Sequence, residues 1–411
     1  MAGGAEWTAA YLESARAVGE VLVASAARAR DGSVYWRGPA ERQGQRVMLP
    51  LPATLFPGML GVALLLAGLE RVLGGGRYGA LCREGLMPLE REVARIVSEP
   101  SRLQQVRQDI GGLSGLGSIV YGLTRVGDLL GEPSFHESAR AVCRLVTPEH
   151  IASDTCLDVM MGCAGTLLAL LALDERAPEP DADGMSPLQL ARLCGERLLA
   201  RREAFHGDLY AWGSGGTPMG GFCHGTAGIE YALLRLHART GTVAFRDAAV
   251  AAMAHERLLF DAERGDWSYA LGPPPRFLNS WCKGAPGLLL ARAGALEVLD
   301  NSEVRDEIAL AARNAGSECL SDVDDLCCGN LGRVDALLHA HSRLGAPILR
   351  DSARRLADRV LARAEARTGF TLSPKFEGCV DPRFFPGLSG IGYVLLRLAA
   401  PGQLPCVLAM E

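Results

Sequence analysis

Three thiols and one imidazole stand out by type and spacing: Cys282, the adjacent pair Cys327 and Cys328, and His224. They fall in the segments Cys223-His224-Gly225-Thr226-Ala227-Gly228, Trp281-Cys282-Lys283-Gly284-Ala285-Pro286-Gly287 and Cys327-Cys328-Gly329-Asn330-Leu331-Gly332. With the first glycines superimposed, His224 and Cys328 share one position and Cys282 lies one residue earlier. Soft thiolates suit zinc, and three protein ligands leave one position of a tetrahedral shell open, which is the pattern of a catalytic site. These turns contain no Cys-x-x-Cys pair, so spacing alone leaves reduced core thiols as an equal alternative.

A single His at a helix start is ordinarily a cap or a satisfied polar group. Its repeat position beside the thiols makes His224 the candidate acid or base. Asp158 stands four residues before Gly162. It reads first as a helix cap favoured by the dipole, and a carboxylate there could also orient an imidazole or a substrate amide. His206, His237, His339 and His341 lack such context and read as structural or surface groups. Cys82, Cys143, Cys156, Cys163, Cys194, Cys319 and Cys406 lie in apolar or helical surroundings where a small hydrophobe would serve.

The elements that must position these groups repeat. A Gly-x-x-Gly turn followed by an apolar helix occurs at Gly58/Gly61, Gly112/Gly115, Gly162/Gly165, Gly225/Gly228, Gly284/Gly287, Gly329/Gly332 and Gly387/Gly390. Runs such as Thr166-Leu-Leu-Ala-Leu-Leu-Ala-Leu predict inner helices buried on most sides, whereas Ala248 to Phe260 and Ile348 to Ala366 are amphipathic and predict outer helices. Alternating inner and outer helices could stack as an open solenoid or close into a ring, and glycines allowing the inner starts to converge favour closure: an all-α fold, a closed α/α toroid. Residues 1–411 read as a single domain with peripheral loops at 176–186 and 212–221, and Ser186-Pro187 supplies an N-cap and first-turn proline.

The net charge of −5, with no Lys/Arg-rich block, argues against a nucleic-acid partner. Met1 to Arg30 suits an amphipathic helix and lacks the apolar core of a signal peptide, and the run Met59 to Leu69 is too short to span a bilayer. A cytoplasmic protein with 12 reduced cysteines is expected.

The three decorated turns, with Asn279-Ser-Trp-Cys-Lys-Gly-Ala-Pro-Gly287 and Cys327-Cys-Gly-Asn-Leu-Gly-Arg333 quoted in full, resemble the signature turns of the lanthionine synthetase C-like cyclases. The closing stretch from Gly387 is similar to the end of the cyclase domain of class II lanthipeptide synthetases. The resemblance implies a zinc-bearing α/α toroid of about seven inner and seven outer helices that adds peptide cysteines to dehydroalanine or dehydrobutyrine, closing lanthionine or methyllanthionine rings in a dehydrated precursor peptide. It implies Cys282, Cys327 and Cys328 as zinc ligands, with His224 and Asp158 as the acid/base pair.

Three departures accompany the resemblance. Cys328 stands where most of the family has His, Lys283 replaces a usual His or aromatic residue, and Leu278 occupies a position where some members carry Arg, for which Arg276 is the available substitute. The class II enzymes carry a dehydratase region ahead of the cyclase; here a separate dehydratase, or a longer parent protein, is implied. Two other readings remain: addition of glutathione or another small thiol to dehydrated residues, and a non-catalytic peptide-binding toroid stapled by zinc.

Overall fold

The computed structural model describes residues 3–98, 109–177, 184–206, 209–213 and 218–411. Most of the predicted loop 176–186 and part of 212–221 therefore lie outside the described residues. Among the described residues, the seven inner helices are α2 (Met59–Leu73), α4 (Leu116–Leu130), α7 (Cys163–Asp174), α9 (Thr226–Thr240), α11 (Ala285–Ala295), α13 (Asn330–Leu344) and α15 (Leu388–Ala399). The helices packed outside them are α3 (Arg77–Ser98), α5 (Pro133–Cys143), α8 (Pro187–Arg201), α10 (Val243–Arg257), α12 (Ser302–Ala315) and α14 (Pro347–Ala366). The seventh outer helix is α1 (Gly3–Ser25), which packs on α15 and so joins the beginning of the chain to its last repeat. Each inner helix contacts the next and α15 contacts α2, so the α/α toroid is closed.

Sequence dictates which helix goes where. Every residue of α7 is buried, as its unbroken apolar run requires. By contrast α14 buries only Leu349, Ala353, Leu356, Ala357 and Val360, a stripe at helical spacing, and leaves Arg355 and Arg359 exposed. Among the described residues, α6 (Pro148–Ser153) and four antiparallel two-stranded hairpins lie between helices, the longest pairing Arg37–Arg42 with Gln45–Pro50. The Ser186 cap is present as a reciprocal pair: Gln189 N–H donates to Ser186 Oγ, and Ser186 N–H to Gln189 Oε1. None of the described helices is long and apolar enough to cross a membrane.

The glycine motif has a steric cause. The first glycine caps the inner helix and the second enters its first turn, where an added Cβ would meet a carbonyl oxygen six residues back. That distance would be 1.9 Å at Gly165, 2.0 Å at Gly228 and 2.1 Å at Gly332. The second repeat corrects the expected frame. Its cap is Gly115, not Gly112, and Ser118 takes the second glycine's place, its hydroxyl donating to Gly115 O at 2.6 Å.

Candidate metal centre and active site

The seven turns form a hoop at one end of the inner barrel. Phe56 N–H donates to Leu113 O (2.7 Å), Leu113 to Met160 (3.1 Å), Met160 to Cys223 (3.3 Å), Cys223 to Cys282 (3.4 Å), Cys282 to Cys327 (3.4 Å) and Cys327 to Phe385 (3.1 Å). Stacking of the Phe56 and Phe385 rings, 5.0 Å apart, completes the circle. These are the residues two before each cap glycine. One residue earlier in each turn, Leu55, Gly112, Val159, Phe222, Trp281, Leu326 and Phe384 are all buried and make an apolar floor. One residue later, Pro57, Ser114, Met161, His224, Lys283, Cys328 and Pro386 all reach solvent to some degree and make a collar.

Cys282, Cys327 and Cys328 meet on this hoop, with all three sulfurs within 4.8 Å of one another. The Cys282–Cys328 and Cys327–Cys328 Sγ separations are both 3.6 Å. Sulfurs around a tetrahedral zinc, at about 2.3 Å each, lie roughly 3.8 Å apart, so the donor set fits the ion in both chemistry and span. Hydrogen bonds from Cys327 and Cys328, assisted by Ser280 and Lys283, hold the Cys282 thiol far below its usual range, while Cys327 and Cys328 are pushed up in return. Hydrogen bonding within the cluster thus favours a thiolate at Cys282. Inner-helix N-termini converging on the hoop favour that charge.

The loop bearing the cysteine pair is tied down by the residues that follow it. Buried Asn330 donates to Ser321 O (3.1 Å), Val323 O (2.9 Å) and Asp324 Oδ1 (3.0 Å), and accepts from Ser321 N (2.8 Å). Arg333, fully buried, donates to Ala315 O (2.9 Å), Cys319 O (2.8 Å) and Ser317 O, and burial lowers it to about 10. Asp325, which the sequence reading passed over, accepts from Cys328 N–H at 2.8 Å and burial raises it to about 6. It stands four residues before Gly329, as Asp158 stands before Gly162, and that shared offset was the available signal.

His224 and Asp158 are brought together. Asp158 Oδ2 lies 2.9 Å from His224 Nδ1, while Oδ1 accepts from Met161 N–H at 2.7 Å, so the carboxylate both caps the turn and orients the ring. A carboxylate only accepts, which places the proton on Nδ1 and leaves Nε2 for the mouth. Buried Cys223 marks how near these groups are: after burial, the charges of Cys282, Asp158 and Cys328 raise its thiol, and Lys283 opposes them.

Other candidates are spread elsewhere. His237 and His341 hold carbonyls of Thr242 and Ala346 at helix ends, and His339 is buried 3.6 Å from Glu411. Cys82, Cys143, Cys163, Cys194 and Cys406 are buried as expected, whereas Cys319 is exposed. Leu278 is 44% exposed and Arg276 is exposed, its guanidinium making no hydrogen bond or ion pair among the described residues.

A family model described as "Lanthionine synthetase C-like protein" matches residues 50–409. The fold is similar to the solved structure of nisin cyclase, with a TM-score of 0.63 and 19% identity, covering 87% of this chain and 91% of that one. Weaker likenesses include the Lin0763 protein from Listeria innocua, with a TM-score of 0.49 and 13% identity over 69% of this chain and 84% of that one. Another is the GH76A alpha-1,6-mannanase from Salegentibacter sp. HEL1_6, with a TM-score of 0.47 and 14% identity over 75% and 98%.

Proposed function

The chain belongs to the lanthionine synthetase C-like family, and on that premise we propose that it is a zinc-dependent lanthipeptide cyclase. It adds cysteine thiols of a dehydrated precursor peptide to dehydroalanine or dehydrobutyrine, closing lanthionine and methyllanthionine rings. The observation that carries this reading is the Cys282–Cys327–Cys328 cluster on the same ring of turns as the His224–Asp158 pair. Residues 1–411 act in this reading as a single cyclase domain, with α1 packed on α15 as its support.

Cys282, Cys327 and Cys328 would hold the zinc, which supplies acidification of an incoming thiol and a charge to keep its thiolate in place. The remaining tasks fall to the protein. Addition at Cβ breaks the Cα=Cβ π bond, and the electron pair must be met by a proton at Cα. His224 Nε2, directed to the mouth because Asp158 holds Nδ1–H, first takes the proton that the thiol loses and then delivers it to Cα. The apolar floor of Phe222, Trp281 and Phe384 keeps water from beneath the reacting groups.

The test is a dehydrated peptide with one cysteine. Ring formation removes the free thiol without changing mass, and metal analysis should find about one zinc per chain. Cys282→Ala should lose both the metal and the ring. Undiminished cyclisation after clean zinc removal would overturn the reading.

A further inference from the structure

Lys283 is one of only two lysines in a chain that holds 42 Lys and Arg residues. A composition so biased to arginine makes the choice of lysine at the mouth informative. The hoop fixes where it stands. Cys223 N–H bonds Cys282 O, and Cys282 N–H bonds Cys327 O, so the collar runs His224, Lys283, Cys328 in sequence around the ring. The ammonium thus comes from the segment between the proton donor and the outermost thiol.

Its environment is that of a charge kept available. Among the described residues, Lys283 has no carboxylate partner and no side-chain hydrogen bond. Its Nζ instead lies 5.2 Å from the centroid of the Tyr269 ring, a neutral face that holds a cation without consuming its N–H donors. Tyr269 is itself fixed on both sides, donating its N–H to Arg276 O (2.8 Å) and accepting from Gly220 N–H (3.0 Å). The Lys283 backbone is pinned from below, since a Cβ at Gly221 would lie 2.4 Å from Lys283 Cα.

Resting on the cyclase reading, we propose that Lys283 is a catalytic residue whose ammonium binds the carbonyl oxygen of the dehydroamino acid and stabilises the enolate formed on thiol addition. The S–Cβ bond forms, the Cα=Cβ π pair moves toward the carbonyl, and the carbonyl oxygen gains negative charge beside Nζ. His224 then protonates Cα and the carbonyl is restored. Charge that develops on one oxygen is best met by a compact donor already in place, and an ammonium on a flexible stem serves this better than the planar fork of arginine, which matches carboxylates. Tyr269 is the positioning residue that aims it.

The experiment uses the full chain with zinc, a dehydrated cysteine peptide, and the same peptide with serine in place of cysteine as a non-reacting ligand. Lys283→Met should keep about one zinc and bind the serine peptide within about twofold of wild type, yet lose about 10²- to 10³-fold in kcat. Tyr269→Phe should retain activity where Tyr269→Ala loses part of it. In zinc-stripped protein, the isotope-labelled acceptor carbonyl should show a lower infrared stretching frequency when bound to wild type and not when bound to Lys283→Met. Loss of zinc in Lys283→Met, with an unmoved carbonyl band, would make Lys283 a counter-ion of the metal centre and overturn the proposal. An unchanged kcat would overturn it as well. A wild-type chain that forms no rings overturns the cyclase reading with it, whereas rings formed equally by wild type and Lys283→Met overturn this proposal alone.

Discussion

Asp158 uses its two oxygens for different tasks, Oδ1 on the Met161 amide and Oδ2 on the His224 ring. The sequence offered cap and orienter as competing readings, because either needs only an acidic residue ahead of the helix. Folding makes them compatible, since the repeat before His224 lies beside it on the hoop. Asp158→Asn keeps an acceptor for the turn but removes the charge that holds Nδ1–H, so ring formation should fall about 10²- to 10³-fold, with His224→Ala costing about as much or more. In a His224→Ala background, Asp158→Asn should cost little further. Single-turnover rates measure the coupling; two losses that simply multiply would show that Asp158 acts apart from His224.

At the scale of elements, the turn after Cys327-Cys328 shows why Asn330 and Arg333 accompany the cysteines. Asn330 and Arg333 together bind four carbonyls between Ala315 and Ser321 and one at Val323, fixing the strap that carries Asp325 and the pair. Arg333→Met should therefore weaken zinc binding by about 10- to 100-fold while leaving all three thiols in place, as read by competition with a chelator. Unaltered affinity would separate the strap from the metal centre. The repeats themselves were legible because carbonyl contact enforces a second glycine, at Gly165 or Gly228 for example. The second repeat misled because Gly112, Gly115 and Gly117 offer overlapping frames and Ser118 fits where glycine was expected. Nothing in the sequence announced that Arg292 of α11 would bind Glu230 of α9 (2.6 Å), Glu256 of α10 (2.9 Å) and Glu307 of α12 (2.5 Å). Partners on separate helices leave no local spacing to read.

The whole molecule is closed at two levels. Around the circumference, α1 covers α15, a contact between residues near opposite ends of the sequence that periodicity cannot reveal. At the end away from the mouth, Glu411 joins α9 and α13: it accepts from Tyr231 Oη (2.7 Å) and Arg235 Nη1 (2.8 Å), and it also binds Arg343. Burial alone would raise Glu411, but His339, Arg343 and Arg235 outweigh it and hold the carboxyl at about 2 against an ordinary 4.5. A carboxylate depressed in the fold stabilises above its unfolded pKa and loses that contribution as pH falls through the folded value. Glu411→Gln should thus cost about 1–3 kcal/mol at neutral pH, with the deficit shrinking as pH drops from about 4.5 toward 2. Denaturant unfolding across that range measures it, and a deficit that persists at low pH would assign the effect to packing.

The hoop has a consequence for what this architecture can become. Its links are backbone amides to backbone carbonyls, apart from the Phe56–Phe385 ring stack that closes it, and those links use no collar side chain, so the scaffold does not depend on which groups the collar displays. Each repeat is an interchangeable mount at the same end of the barrel, loaded here with an imidazole, an ammonium and a thiol on three neighbouring mounts. Pro57, Ser114, Met161 and Pro386 occupy the other four with groups of little reactivity. Such a ring lets selection change the reagents one at a time while the barrel beneath them stays as it is.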